Sequence, residues 1–417
     1  MSVATKLLLG HYWHPPTQAG ERLRGLRRLL FLRDVAYLAC TCVGGPHAHL
    51  AMFQRMLVDR RNWLATEDLL ELNALCQLLP GPTSTQTLTA VAFRLGGPTL
   101  AYLALAIWLL PSVAGMTLLA VAMTYVEARQ ISLSFTRFIQ PVAVGLVVHS
   151  AVTFAQRSVY NNLHAALLIG ALGVTYLFPS PYVAPFLLLA GGLLTAIRYR
   201  AQQPEQAHHP MRIEWANFLL WIGVFVVAAL AGRLTQSLPI RLFENFYRNG
   251  SLIFGGGQVL LPLIYNEFVV FKKYLTSQEF LLGYAVAQGL PGPVFAYCAY
   301  VGGMAGRRLG WGVAGTCLGA GMATLGIFLP GTFLIFFIIR FWAQLKQFRV
   351  VRASLEGINA VSAGLVFAAG LLLFKPIEAT QINVGVIGLT FALMQFTKAA
   401  PWMLILSALA MGLAWPG

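Results

Sequence analysis

The sequence predicts an all-α polytopic membrane bundle of two homologous repeats, inverted relative to each other, with helices broken inside the membrane. Three observations carry that expectation. Of 417 residues, 58% are apolar and only 10% are charged, against about 25% charged in a soluble domain. At ~20 apolar residues per span, this content suffices for about twelve membrane segments. The chain also repeats itself, and each copy contains a Pro-Gly-Pro triplet inside apolar surroundings.

Taken in order, residues 1–25 read as a polar tail. They hold Pro15, Pro16 and several charges, and no apolar stretch long enough for a cleavable signal peptide. The first repeat covers 26–198, with apolar segments at 26–43, 98–126, 137–155, 162–178 and 182–198. Residues 199–214 form a polar linker, and 215–234 a connecting transmembrane helix with no partner in the first repeat. The second repeat covers 235–417, with segments at 241–256, 311–340, 353–373, 381–396 and 401–415. Two mixed regions, 47–93 and 258–305, are apolar but interrupted by Gly and Pro. Gly306, Gly310, Gly315 and Gly319 read as a helix-packing face.

A shift of 211 aligns 44–82 with 255–293 without a gap, and twelve of these 39 positions are identical. Gln77 falls on Gln288, and Pro80-Gly81-Pro82 on Pro291-Gly292-Pro293. After an eight-residue insertion the shift becomes 219, so that Leu110-Pro111 meets Leu329-Pro330 and Gly145 meets Gly364. Internal duplication in a membrane protein is a signature of transporter folds. One unpaired span between halves that each cross an even number of times inverts the second half. The five arginines from Arg22 to Arg33 place the amino terminus in the cytoplasm.

Pro-Gly-Pro cannot continue a helix, because the prolines remove donors and clash with the preceding turn. Broken backbone at membrane depth is tolerated only where it is buried or lines a cavity. A helix restarting there aims free N–H groups and its positive dipole end at that place, which suits an anion. In the first repeat the restart adds Thr83, Ser84, Thr85 and Gln86. Gly44-Gly45-Pro46 and Gly255-Gly256-Gly257 read as a second pair of breaks, so that four helix starts surround one centre. The expected substrate ligands are therefore Pro80 to Gln86, Pro291 to Pro293, Gly44, Gly45, His47 and Gly255 to Gly257, with Gln77 and Gln288 as supporting amides. His47 and His49 suit either an anion or a coupled proton. Arg94, Arg307 and Arg308 mark loop ends or attract a dianion.

Other classes are excluded by what the chain offers. The net charge of +15 reflects short basic cytoplasmic loops, so no nucleic-acid partner is expected. Cys40, Cys42, Cys76, Cys298 and Cys317 are odd in number and lack metal spacing, which argues against disulfides, zinc or any other metal. No P-loop, nucleophile–base set or cofactor motif stands out, so neither ATP hydrolysis nor enzyme activity is expected. Few of the 14 acids fall in apolar segments; Asp34, Glu71, Glu267 and Glu356 come nearest. That scarcity favours an anionic over a cationic substrate. The oligomeric state is open, with a homodimer compatible with the sequence.

The ordered motifs Gly44-Gly-Pro-His-Ala-His49, Leu79-Pro-Gly-Pro-Thr-Ser-Thr-Gln86, Phe254-Gly-Gly-Gly257, Gln288-Gly-Leu-Pro-Gly-Pro293 and Phe328-Leu-Pro-Gly331 resemble the chromate ion transporter family in its long, two-domain form. The resemblance spans about 30–400. It implies a multi-pass protein of the bacterial inner membrane that exports chromate, driven by the proton-motive force, and so gives chromate resistance. Sulfate, a tetrahedral dianion of similar size, is the competing substrate. The chain departs from the family in the short stretch between Pro82 and Pro111, where only Gly96-Gly97 remains of a longer Gly-rich segment, and in Pro46 facing Gly257. An oxyanion importer, a passive anion channel and a non-transporting sensor are the rival readings.

Overall fold

The structure is a computed structural model describing residues 18–129, 136–178, 180, 182–200, 215–254, 257–340, 349–397 and 399–415. The tail through residue 17, linker residues 201–214, Gly255 and Gly256 lie outside the described residues, as do the side chains of Pro46, His47 and Gln258. Sixteen α-helices and no strand occur among the described residues. The first repeat comprises α1 (Gln18–Thr41), α2 (Gly45–Phe53), α3 (Thr66–Leu78), α4 (Thr83–Ala128), α5 (Ile139–Ser158), α6 (Asn162–Leu177) and α7 (Val183–Arg200). Then come α8 (Ala216–Thr235), α9 (Leu238–Leu252), α10 (Gly257–Tyr265), α11 (Ser277–Gly289), α12 (Tyr297–Gly306), α13 (Gly312–Ile338), α14 (Arg349–Phe374), α15 (Gln381–Phe396) and α16 (Pro401–Ala414). Among the described residues, five helices are long and apolar enough to cross a bilayer: α4, α5, α8, α13 and α14. The unpaired α8 leaves Leu219, Val227, Leu230 and Leu234 exposed, as a lipid-facing helix does.

The mixed regions fold into re-entrant hairpins. α3 has 13 residues, a rise of about 20 Å, too short for a ~30 Å hydrocarbon core. It descends to Pro80-Gly81-Pro82 and the chain turns back into α4. The Asp68–Arg94 ion pair at 2.8 Å ties the start of α3 to the far end of that return arm. Non-helical torsions at Gly96 and Gly97 then divide α4 into arms 83–95 and 98–128. The second repeat copies this design: α11 and α12 flank Pro291-Gly292-Pro293, and Glu279–Arg307 at 2.8 Å closes the open end. α2 and α10 each continue into a π-helix, Gln54–Arg60 and Asn266–Phe271. Asp34 of α1 pairs with Arg61 at 3.2 Å just beyond the first π-helix, so α1 and α2 also form a hairpin, its tip at Gly44-Gly45.

The repeats are inverted, and two antiparallel helices prove it. Near one end of the pair, Thr124 of α4 lies 3.5 Å from Thr316 of α13. At the other end, Phe336 of α13 stacks with Phe93 and meets Tyr102 of α4 edge-on. Arg94 therefore stands at one end of this pair and Arg307 at the other, and the two sets of hairpins enter from opposite faces. The repeats are also interlocked. Gly145 of α5 packs on Thr390 of α15, while its repeat partner Gly364 of α14 packs on Leu168 and Ala171 of α6. Of the glycines expected to form a packing face, Gly306, Gly315 and Gly319 do bring α12 and α13 into backbone contact. Gly310 instead makes a turn at φ 73°.

Gly81 and Gly292 adopt φ of 118° and 103°, a region costly for residues with a Cβ. Gly81→Ala and Gly292→Ala are each expected to lower stability by about 2 kcal/mol or more, read as thermal stability in detergent. Gly170→Ala, at a helical position with open space around it, should be neutral.

Candidate functional site

The four breaks meet in one closed ring of contacts. The Gly81 N–H donates to the Ile253 carbonyl at 2.7 Å, and the Gly292 N–H donates to the Cys42 carbonyl at 2.8 Å. Residues 81 and 292 are repeat partners, as are 42 and 253, so each Pro-Gly-Pro is held by the break of the other repeat. The ring closes within each repeat. His49 Nδ1 lies 3.0 Å from Ser84 Oγ, and the start of α10 at Gly257 packs on Val294 and Phe295. A second pseudo-symmetric contact locks the centre. A methyl group on Gly81 would stand 3.6 Å from Gly331 Cα, and one on Gly292 would stand 2.9 Å from Ser112 Oγ. Ser112 and Gly331 are repeat partners, each following a mid-helix proline, Pro111 or Pro330.

The first-repeat side of the ring is polar. The Gln86 N–H donates to the Pro82 carbonyl at 2.9 Å, which makes Pro82 the N-cap of α4. The N–H groups of Thr83, Ser84 and Thr85 thus have no intrahelical acceptor. The Gln86 side chain donates from Nε2 to the Pro80 carbonyl at 2.7 Å and satisfies the broken backbone. Thr85 Oγ1 accepts from Trp108 Nε1 at 3.1 Å. Trp108 packs edge-on against His49 at 5.4 Å. His49 and Gln86 are 1% and 2% exposed, and His49 Nε2 and Gln86 Oε1 have no hydrogen-bond partner among the described residues. Buried polar atoms left unpartnered are costly, and in native proteins they point to water, ligand or function.

The second-repeat side is apolar. The positions matching His49, Ser84, Thr85 and Gln86 are Leu260, Phe295, Ala296 and Tyr297. All four are buried, and the Tyr297 hydroxyl is turned away to donate to the Phe280 carbonyl. Pro291 to Pro293 supply backbone to the ring, and the next three residues, Val294 to Ala296, carry no hydroxyl. Gln77 is exposed and Gln288 half-buried, so the two amides expected to act alike have different surroundings. Gly44 and Gly45, at φ 108° and 81°, form the tip of the first hairpin. Sequence reasoning missed Trp108 and Ser112, which arrive from a distant part of α4. The acids stand elsewhere: Asp34 is paired with Arg61, Glu267 with Arg248 and Lys272, and Glu356 approaches exposed from the side of His164. Arg94 and Arg307 close hairpin ends, as the loop-end reading has it.

A polytopic helical membrane protein with inverted repeats, broken helices and a central ring of helix starts has the architecture of a transporter. Residues 29–196 and 240–413 each match the chromate transporter family, and the chain belongs to that family. It is similar to the chromate transport protein of Cupriavidus metallidurans, 25% identical over 379 residues, which cover 89% of this chain and 88% of that protein. A chromate transport protein of Pseudomonas aeruginosa is 26% identical over 78% of this chain and 76% of its own length. An uncharacterized Bacillus subtilis transporter, YwrA, is 27% identical over 42% of this chain, which is 96% of its own length. No solved structure matches the chain.

A methyl group on Gly331 would stand 2.5 Å from Gln86 Nε2, so Gly331→Ala should push that amide off the Pro80 carbonyl. The expected loss is about 1–3 kcal/mol, measurable as thermal stability in detergent. Gln86→Leu should cost a similar amount, and the double variant less than the sum, because both act on one contact.

Proposed function

We propose that the protein is a secondary transporter of a tetrahedral oxyanion, and that its principal reaction is proton-motive-force-driven efflux of chromate across the bacterial inner membrane. The observation that carries this reading is the polar half-ring: the free N–H groups of Thr83, Ser84 and Thr85, with hydroxyls from the same residues, at a buried helix start. Donors of this kind suit a small dianion. The ring receives no carboxylate from Asp34, Glu267 or Glu356, which a cation path normally uses. The printed names of the Cupriavidus and Pseudomonas relatives supply chromate as the ion. Sulfate, equal in charge and shape, is expected to compete at the same donors.

The substrate belongs to the first-repeat side, beside His49. Gln77 and Gln288 contribute no direct contact. Arg27, Arg28, Arg33 and Arg94 lie on the face where the first hairpins open, and by the positive-inside rule this face is cytoplasmic. A dianion leaving such a cell gains about 4.6 kcal/mol per 100 mV of inside-negative potential, since one charge is worth about 2.3.

Labelled chromate offered to energised inverted vesicles should accumulate, stop on addition of an uncoupler, and be inhibited by sulfate. Equal uptake with and without the protein would defeat the reading, and uncoupler-insensitive flux following the Nernst potential would make it a channel. Ser84→Ala and Thr85→Ala should each raise KM about tenfold, the equivalent of ~1.4 kcal/mol for one lost hydrogen bond to an anion. Phe295→Leu should leave KM within about twofold, since no donor is removed.

A further inference from the structure

A second place in the molecule has the chemistry of an anion site. At the outer end of the second repeat a cavity of about 980 Å³ opens between the loop after the second π-helix, the start of α11 and the end of α12. Thr124 of α4 completes its wall from the first repeat. Three basic side chains line it, Lys273, Arg307 and Arg308, against one carboxylate, Glu279. Glu279 is committed to its neighbours: it accepts from Arg307 at 2.8 Å and from the Thr276 N–H at 2.8 Å. That pair cancels in charge. Lys273 makes no ion pair among the described residues, and Arg308 donates to the Lys273 carbonyl while stacking over Tyr274 at 4.8 Å. The cavity therefore keeps two uncompensated positive charges, the number a dianion requires. Its wall reaches Met304, seven residues into α12 and so roughly 10 Å from that helix's start beside the second break.

The internal duplication serves as a control. Lys273 occupies a left-handed turn at φ 54°, and its repeat partner Asn62 occupies the same turn at φ 49°. Tyr265 bonds Ser277 at 2.9 Å, as Gln54 bonds Thr66 at 2.9 Å. The backbone is thus copied, but Lys273 stands where the first repeat has neutral Asn62. Arg308 follows Arg307, whereas apolar Leu95 follows Arg94. The turn itself does not require the Lys273 charge.

We infer that this cavity is an oxyanion-binding vestibule of the second repeat, on the face opposite the amino-terminal arginines, with Lys273 and Arg308 as its anion-selecting residues. Chromate or sulfate as the natural ligand rests on the transport reading above; the site itself rests on the cavity and its charge. Under that reading the vestibule is the outer mouth of the pathway.

The test is thiol labelling of Val270→Cys, a half-buried wall residue, in purified full-length protein whose exposed Cys40 and Cys317 are replaced by alanine. An anionic methanethiosulfonate should react at least about tenfold faster than a cationic one of equal size, because a focused positive field raises anion encounter rates by 10-fold or more. Sulfate should slow the anionic reagent. Lys273→Ala with Arg308→Ala should bring the two rates within about twofold, and Lys273→Arg with Arg308→Lys should restore the preference. Equal rates in the parent, no slowing by sulfate, or a preference surviving the double alanine variant would overturn the assignment. Sulfate protection without any chromate or sulfate flux would sink the transport reading and leave the vestibule standing. Flux without protection would do the reverse.

Discussion

Two backbone hydrogen bonds hold this architecture together. In lipid an unpaired N–H or C=O costs several kcal/mol, and a Pro-Gly-Pro break exposes such groups at membrane depth. Here each break is satisfied by the other repeat: Gly81 by Ile253, and Gly292 by Cys42. Neither half can close its own break in this way, so the halves must interlock, and the swapped packing of α5 on α15 and of α14 on α6 follows. The crossing also explains the small residues around it. Gly331 and Ser112 lie where a larger side chain would strike the opposing break.

On this symmetric frame the chemistry is one-sided. The first repeat lines the ring with His49, Ser84, Thr85 and Gln86, while the second offers Leu260, Phe295, Ala296 and Tyr297 at the matching places. Duplication supplies two helix starts, and polar side chains line the first. The second start is instead rigidified, since the Tyr297 and Tyr300 hydroxyls pin α12 to carbonyls of α11. The open ends differ too, where the second repeat has Lys273 in place of Asn62.

Much of the fold was legible in the sequence because it depends on local chemistry. The edges of α5 to α8 and α13 to α16, and the second arm of α4, follow from apolar runs, and the breaks from proline and glycine. The inversion came from one unpaired span. Re-entry was not legible, because 47–93 is apolar enough to read as membrane-crossing, and only the Asp68–Arg94 pair shows that α3 returns. Trp108 and Ser112 escaped notice because 26 residues or more separate them from Pro82. Gln77 and Gln288 looked equivalent by register, yet register does not fix exposure. The one-sided site was written in the sequence at Ser84 and Phe295, but its meaning appears only with His49 against Ser84 and with Phe295 packed on Gly257.

The central claim is that the first-repeat helix start holds the substrate. The most direct test is an experimental structure of the full-length protein with tungstate, a tetrahedral dianion heavy enough to locate without ambiguity. The account predicts density within hydrogen-bond distance of the Ser84 and Thr85 N–H groups, with no equivalent peak at Phe295 and Ala296. Density at the second break alone, or none at either break in a saturated sample, would contradict it.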